Sequence, residues 1–151
     1  MMNGNSVTIA PAQEKDYDEW HSLWLKYQEF YNVEIPDAVT KMTWQRFFNQ
    51  AEPMFCAVAK SNGKLIGLVH YTFHRSTWAE NNYCYLEDLY VCENTRGQHV
   101  GKQLIEYVKG ETSKNNASRL YWHTHEENHR AQRLYDWVAK KTGMIKYQMP
   151  M

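Results

Sequence analysis

Apolar residues recur along this chain at two spacings, and the elements change where one spacing gives way to the other. Val7–Ala10 is a short apolar run stopped by Pro11, which predicts a first strand. From Tyr17 onward, Trp20, Trp24, Tyr27 and Tyr31 follow at steps of three and four, with Leu23 and Phe30 beside them. That is the period of a helix with one buried stripe. Asp16-Tyr-Asp-Glu19 has the spacing of a capping box at its start. The helix should end before Pro36, because the residue ahead of proline resists the α region. Thr43 to Asn49, carrying Trp44, Phe47 and Phe48, reads as a second short helix.

The period then changes to that of strands. Phe55–Lys60 and Leu65–His74 flank Ser61-Asn62-Gly63-Lys64, whose Asn-Gly pair is the signal for a tight hairpin. A polar turn at Ala79–Asn82 leads into Tyr83–Cys92, rich in aromatic and β-branched residues. Together these runs predict an antiparallel meander. Val100, Leu104, Ile105 and Val108 restore the helical period as far as Lys114, and Asn115-Asn116 breaks it. Arg119–Thr124 reads as a strand. Asn128 to about Lys140 reads as a helix with Ala131, Leu134, Tyr135 and Val138 on one stripe. Gly143 closes that helix, and Met144–Met149 reads as a last strand. The expected order is β-α-α-β-β-β-α-β-α-β: a mixed α+β class, with a mostly antiparallel sheet of about six to seven strands flanked by helices.

Composition narrows the class. A chain of 151 residues predicts a single domain over 1–151, long enough to bury a core without staples. Apolar residues are 43% and aromatics 15%, with six Trp and eleven Tyr, so a disordered chain is excluded. Lys+Arg and Asp+Glu are 17 each, so no basic excess draws the chain to nucleic acid or anionic membrane. There is no apolar run of about 18 residues to span a bilayer. MMNGNSVTIAPA lacks the basic and apolar regions of a secretory signal. Three cysteines, with no CxxC pair, predict reduced thiols in an intracellular protein, with cytoplasm as the default compartment.

Candidate chemistry gathers at Glu93–Leu104, ENTRGQHVGKQL. A strand leads in and a helix leads out. The first turn of a helix has unpaired amides and a partial positive charge, and glycines let a ligand approach the backbone. Arg96 and Lys102 add fixed positive donors, so the corner suits a phosphate. A P-loop is excluded: Gly97 to Gly101 leaves three residues rather than four, and Gln103 stands where a hydroxyl would hold magnesium. A dinucleotide GxGxxG lacks its third glycine. An ordinary strand-to-helix turn with capping glycines remains open on the loop alone.

Arg96-Gly97-Gln98-His99-Val100-Gly101 resembles the pyrophosphate loop of the GNAT acetyltransferases, Arg/Gln-x-x-Gly-x-Gly/Ala, with His99 in place of the central glycine. Tyr85-Leu86-Glu87-Asp88-Leu89-Tyr90-Val91 resembles that family's fourth strand, in a form similar to diamine acetyltransferases. Asn128-His-Arg-Ala-Gln-Arg-Leu-Tyr135 resembles its Asn-x-x-Ala-x-x-Leu-Tyr helix. With Tyr121-Trp122, that region looks closest to a histone- and polyamine-acetylating branch. The match covers roughly Tyr85 to Tyr147. A second departure is Ala139, where many relatives have glycine; a longer last helix is expected from it.

The resemblance implies acetyl-CoA as cosubstrate, a primary amine as acceptor and no metal. The acceptor classes are small amines, polyamines, amino acids and protein lysine. An alkylammonium, with a pKa near 10.4, has no lone pair until a base takes its proton. Glu87 is the expected base and Asp88 the reserve, on the opposite face of the strand. Period-two alternation puts Tyr85, Glu87, Leu89 and Val91 on one face unless a bulge intervenes. Tyr135 is the expected acid for the leaving thiolate. Leu89, Tyr90 and Val91 are expected to offer backbone groups to the thioester and pantetheine. Arg96, Gly97, Gln98, His99, Val100, Gly101 and Lys102 are expected at the pyrophosphate, and Asn128, Ala131 and Tyr135 along the rest of the cofactor. His123, His125 and His129 lack a fourth ligand for a metal and read as satisfied or exposed, as do His70 and His74. Glu29, Glu34 and Asp37 could steer a cationic amine. The aromatic helix reads as core or dimer surface; relatives are often dimers, so a homodimer is among the implied partners. The alternative function is a CoA-binding sensor or regulatory module without turnover.

Overall fold

The computed structural model describes residues 6–95 and 98–151. Five strands form one sheet in the order β1-β2-β3-β4-β5. They are β1 (Val7–Pro11), β2 (Met54–Ser61), β3 (Lys64–His74), β4 (Tyr83–Val91) and β5 (Arg119–Tyr121). The first four run antiparallel and β5 is parallel to β4. The helices are α1 (Tyr17–Phe30), α2 (Asp37–Phe47), α3 (Val100–Lys114) and α4 (His129–Val138).

Alternation along the strands feeds two cores. Ala57, Ala59, Val69, Tyr71 and Leu86 face α3, which brings Val100, Leu104, Ile105 and Val108. Leu134, Tyr135 and Val138 of α4 close that layer from its rim. Cys56, Val58 and Leu68 face the other way, onto Trp20, Leu23 and Trp24 of α1 and Trp44 of α2. Strand β2 is therefore buried on both faces, which is why Cys56–Ala59 reads as an unbroken apolar run.

Local signals act where expected at several points. Asn62 and Gly63 both take positive φ, 54° and 76°, as a two-residue hairpin demands. Helices α1 and α3 each end on an asparagine in the left-handed region, Asn32 and Asn116. Val33 N–H to Gln28 C=O (2.9 Å) and Ala117 N–H to Thr112 C=O (3.0 Å) complete the C-terminal caps.

Other expectations are corrected. The capping box lies one turn earlier than the spacing suggested: the Gln13 amide donates to Asp16 Oδ2 at 2.8 Å around a 3₁₀ turn, Glu14–Asp16. Helix α2 starts at Asp37 rather than Thr43, because Pro36 stands at its N-cap instead of only stopping α1. Strand β5 is three residues long rather than six, since its ladder with β4 ends at Tyr85 opposite Tyr121. Helix α4 is not lengthened by Ala139, which is already extended at φ −149°, ψ −174°. Met144–Met149 does not pair as a strand: Met144, Ile145, Tyr147 and Met149 are 75–87% exposed. Alternation there is right for a strand, but no sheet edge meets it, so the sheet has five strands among the described residues rather than six or seven.

Candidate active site

Strand β4 is the axis of the site. Its register with β3 slips once: Asp88 opposes His70, Leu86 opposes Tyr71, and Glu87 is the extra residue of a β-bulge. The expected face is thereby split. Leu89 and Val91 lie on the α3 side with Leu86, while Tyr85 shares the α1 side with Asp88 and Tyr90. Glu87, pushed out by the bulge, is exposed. Crowding by neighbouring atoms and the charge of Asp88 raise its carboxyl pKa, against a smaller opposite pull from Lys146.

Asp88 is held from two sides. The Tyr27 hydroxyl donates to Oδ1 at 2.6 Å, and His70 Nδ1 meets Oδ2 at 2.9 Å. The far nitrogen of His70, Nε2, accepts from the indole of Trp20 at 3.0 Å. An indole can only donate, so Nε2 carries the lone pair and the proton of this neutral ring sits on Nδ1. Tyr27 stacks on Trp24 and leans on Tyr31, with ring centroids 4.8 Å apart in each case. Burial, then Asp88, raises the pKa of Tyr27 far above its ordinary value.

Tyr31 links this cluster to α4. Burial and then the charge of Asp88 raise the pKa of its phenol, and the nearby Asn128 side chain draws it back down. Asn128 is also the N-cap of α4, accepting from the Ala131 amide at 3.2 Å. Tyr135 lies half-buried one turn further on, edge-on to Trp122 at 5.5 Å. Burial and then Tyr31 push its pKa up to about 12. Thus Glu87, Asp88, Asn128 and Tyr135, from two separate stretches of sequence, gather around Tyr27 and Tyr31 of a third. Those two tyrosines are functional candidates that periodicity hid: their place in the Trp20, Trp24, Tyr27, Tyr31 series, at steps of three and four, marks a buried stripe and says nothing of a site at its end.

Between β4 and α4 the sheet opens. The β4–β5 ladder covers only Tyr83–Tyr85, so among the described residues β4 continues beyond it with one edge unpaired by a strand. Cys92 N–H bonds to Ile66 C=O of β3 at 2.9 Å. Alternation then turns the Tyr90 amide to β3 and the Leu89 and Val91 amides to the open side.

The corner after β4 opens in a second way. Arg96 and Gly97 lie outside the described residues. The first hydrogen bond inside α3 runs from Gln103 N–H to His99 C=O at 3.0 Å, so the amides of 99–102 precede the ladder. No acidic side chain occupies that turn. Lys102 sits in it, 4.7 Å above the Trp137 ring and 3.4 Å from Glu106. Gln103 Nε2 ties back to Gln98 C=O at 3.1 Å, and the buried Gln98 Oε1 has no partner among the described residues. His99 takes the left-handed region at φ 56°, ψ 34°, the backbone for which a glycine is suited. Its ring turns to Trp137 of α4, 5.3 Å away and edge-on. Gly101 has a separate reason to lack a side chain: a Cβ there would meet Leu134 Cδ2 at 3.1 Å.

The remaining candidates fall elsewhere. His74 is satisfied by Arg75 C=O and the Tyr121 hydroxyl, both at 2.7 Å. His123, His125 and His129 are exposed. Glu29 and Glu34 line a dip of about 620 Å³ at the end of α1 with Leu25, Gln28 and Val33. Asp37 pairs with Lys41 at 3.1 Å on α2.

A parallel strand pair that parts after Tyr85 thus stands beside the open N-terminus of α3, with the Glu87 and Asp88 carboxylates on one arm and the Tyr135 phenol against Trp122 beyond the other. Residues 17–137 match the model of the acetyltransferase (GNAT) family, and the chain belongs to that family. It is 34% identical over 149 residues to the D-amino-acid N-acetyltransferase HPA3 of Saccharomyces cerevisiae, covering 97% of this chain and 92% of the yeast protein. Its fold is shared by the aminoglycoside N-acetyltransferase AAC(6')-Iy in complex with CoA, with TM-score 0.85, 18% identity and 99% and 98% of the two chains covered. The ribosomal-protein-alanine N-acetyltransferase of Brucella melitensis biovar Abortus 2308 is similar in fold, with TM-score 0.80, 17% identity and 97% and 99% covered.

Proposed function

We propose that this chain transfers the acetyl group of acetyl-CoA to the α-amine of a free amino acid. The observation that carries the reading is end-to-end similarity to a D-amino-acid N-acetyltransferase. The site fits such an acceptor: Glu87 and Asp88 supply negative charge for its ammonium, and Lys146 lies close enough to act on Glu87, in reach of a carboxylate.

Acetyl-CoA brings the acyl group as a thioester. The residues fit its diphosphate at the amides of His99, Val100, Gly101 and Lys102 and at the Lys102 ammonium, with Gln98 beside them; the sequence motif adds Arg96 and Gly97 to the same role. The Leu89 and Val91 amides fit its pantetheine and thioester, with Tyr90 holding the strand in register and Asn128 and Ala131 at the far wall. Glu87 takes the proton that the acceptor ammonium must lose. Its raised pKa makes it a better base than an ordinary glutamate. Tyr135 stays protonated at neutral pH, so its O–H is a donor to the departing sulfur.

Two copies of the chain forming a dimer would cover the apolar tail residues Ile145, Tyr147 and Met149 and the exposed Trp137. The free thiols of Cys56, Cys84 and Cys92 support a reducing, cytoplasmic location.

The test is thiol release from acetyl-CoA with D- and L-amino acids, polyamines, aminoglycosides and histone-tail peptides. Amino acids are expected to give the highest kcat/KM. Preference for a polyamine or peptide would move the acceptor class, and CoA binding without turnover on any amine would reduce the protein to a binding module.

A further inference from the structure

His70, bonded to Asp88, lies outside the roles assigned so far. His70 is 5% exposed, and its ring is fixed by packing as well as by hydrogen bonds. The rings of Trp24 and Phe47 lie 4.8 and 4.9 Å from it, and Trp20 and Asp88 hold its two nitrogens. Turning the ring over would break both bonds. The chain of bonds ends at an indole, which cannot accept a proton, so it is not a relay out of the site. What it does is fix one carboxylate. Asp88 remains slightly open, with a side chain 14% exposed, and it stands next to the bulged Glu87.

We propose that His70 is a positioning residue: with Tyr27 it holds Asp88 as a fixed anion, and Asp88 so held anchors the acceptor ammonium while Glu87 removes its proton. The inference rests on the proposed reading of Glu87 as base. In the step, R–NH₃⁺ gives one proton to the Glu87 carboxylate, leaving R–NH₂ and a carboxylic acid, and Asp88 keeps its charge throughout.

The titratable groups around Asp88 are Tyr27 and Tyr31 of α1, Cys56 of β2, His70 of β3 and Tyr85 and Glu87 of β4, with Lys146 acting on Glu87. The tyrosines and Cys56 are all raised, first by burial, and so stay neutral in the working range. A donor bonded to a carboxylate favours its charged form. Taking the donor away destabilises the state with both carboxylates ionised, the state in which Glu87 acts, so that state is lost at higher pH.

The experiment compares His70→Leu, His70→Asn and Tyr27→Phe on the full chain, with an amino-acid acceptor found by the screen. Asparagine keeps an N–H where Nδ1 stood. His70→Leu is expected to raise the acceptor KM roughly ten- to hundredfold, the range of a lost charge-assisted hydrogen bond. It should also move the acid limb of kcat/KM to higher pH, with the acetyl-CoA KM unchanged. His70→Asn should restore most of both. Tyr27→Phe, a smaller perturbation of the fold, should move the limb in the same direction. Leucine and asparagine variants impaired alike, or limbs that stay at the wild-type pH in His70→Leu and Tyr27→Phe, would reduce His70 to a core residue and overturn the proposal. Failure of the base reading shows differently: Glu87→Gln would then keep the wild-type rate and limb.

Discussion

The middle of β4 and the corner that follows it treat polar groups in opposite ways. At Asp88 the donors and acceptors close on one another, from the Trp20 indole through His70 to Asp88 and back through Tyr27. At His99–Lys102 a row of amides stands ahead of its helix ladder with no acidic side chain to meet it. A closed network fixes geometry and leaves little for a ligand to supply. An open row of amides is incomplete until an anion arrives. On the proposed reading, chemistry that needs position belongs to the first region, and binding of the charged cosubstrate to the second.

The sharpest way to break that division is to alter the chemical groups at the fork. Tyr135→Phe removes one oxygen and keeps the ring against Trp122. It is expected to lower kcat by roughly 10²- to 10⁴-fold, the range of a lost proton donor, with acetyl-CoA affinity nearly unchanged. Calorimetric titration with CoA beside steady-state kinetics checks both halves. An unchanged kcat would leave Tyr135 a core tyrosine.

Glu87→Gln comes next, with a loss of roughly 10²-fold. Its pH dependence is the stronger test. Glu87 must be ionised to act, and its pKa is raised above the ordinary 4.5 by crowding and Asp88. Activity of the wild type should therefore fall as pH drops through that raised value. In Glu87→Gln the limb should move to lower pH, opposite in direction to His70→Leu. A pH–rate profile in which the limb stays put would transfer the base role elsewhere.

At the corner the expected effects are smaller and belong to binding. Lys102→Ala leaves the amides in place and removes one charge. It should raise the acetyl-CoA KM roughly tenfold, with kcat held and the salt dependence of that KM reduced. A fall in kcat without a change in KM would mean that the two regions are not separable as drawn.

How much of this was legible in sequence follows the same division. Helix α3, expected from Val100 to about Lys114 and observed over Val100–Lys114, was legible because its apolar stripe faces one core and both its ends carry strong local signals. The loop, the strand and the Asn128 helix could be placed in order because each is a local pattern. The bulge at Glu87 left no local mark; it arises from the register of β4 against β3 and changed which side chains share a face. His70 looked like one more satisfied histidine, and it is satisfied, but by a carboxylate 18 residues away, Asp88, expected only as a reserve base on the opposite face of the strand. Tyr27 and Tyr31 were hidden by the regularity of their own helix. The tail failed for the converse reason: its alternation is real, but pairing needs a second edge, which local pattern does not supply.

The smallest expected effect concerns the residue that most sets this loop apart, His99 in left-handed backbone where the family motif has glycine. That conformation costs a residue with a Cβ roughly 1–2 kcal/mol. Glycine escapes that cost but loses roughly 0.5–1 kcal/mol more backbone entropy on folding. The edge-on contact with Trp137 offsets another part for histidine. His99→Gly should therefore change stability by less than about 1 kcal/mol, because its gain and its losses nearly cancel. His99→Ala keeps the backbone strain and loses the ring contact, so it should be the less stable variant by about 1 kcal/mol. Urea unfolding of the three proteins at one pH measures the difference, in which the lost ring contact cancels between the two variants and the left-handed strain remains. Equal stabilities for glycine and alanine would mean that the loop relaxes out of that conformation, and the account of why a histidine is tolerated at this corner would have to rest on Trp137 alone.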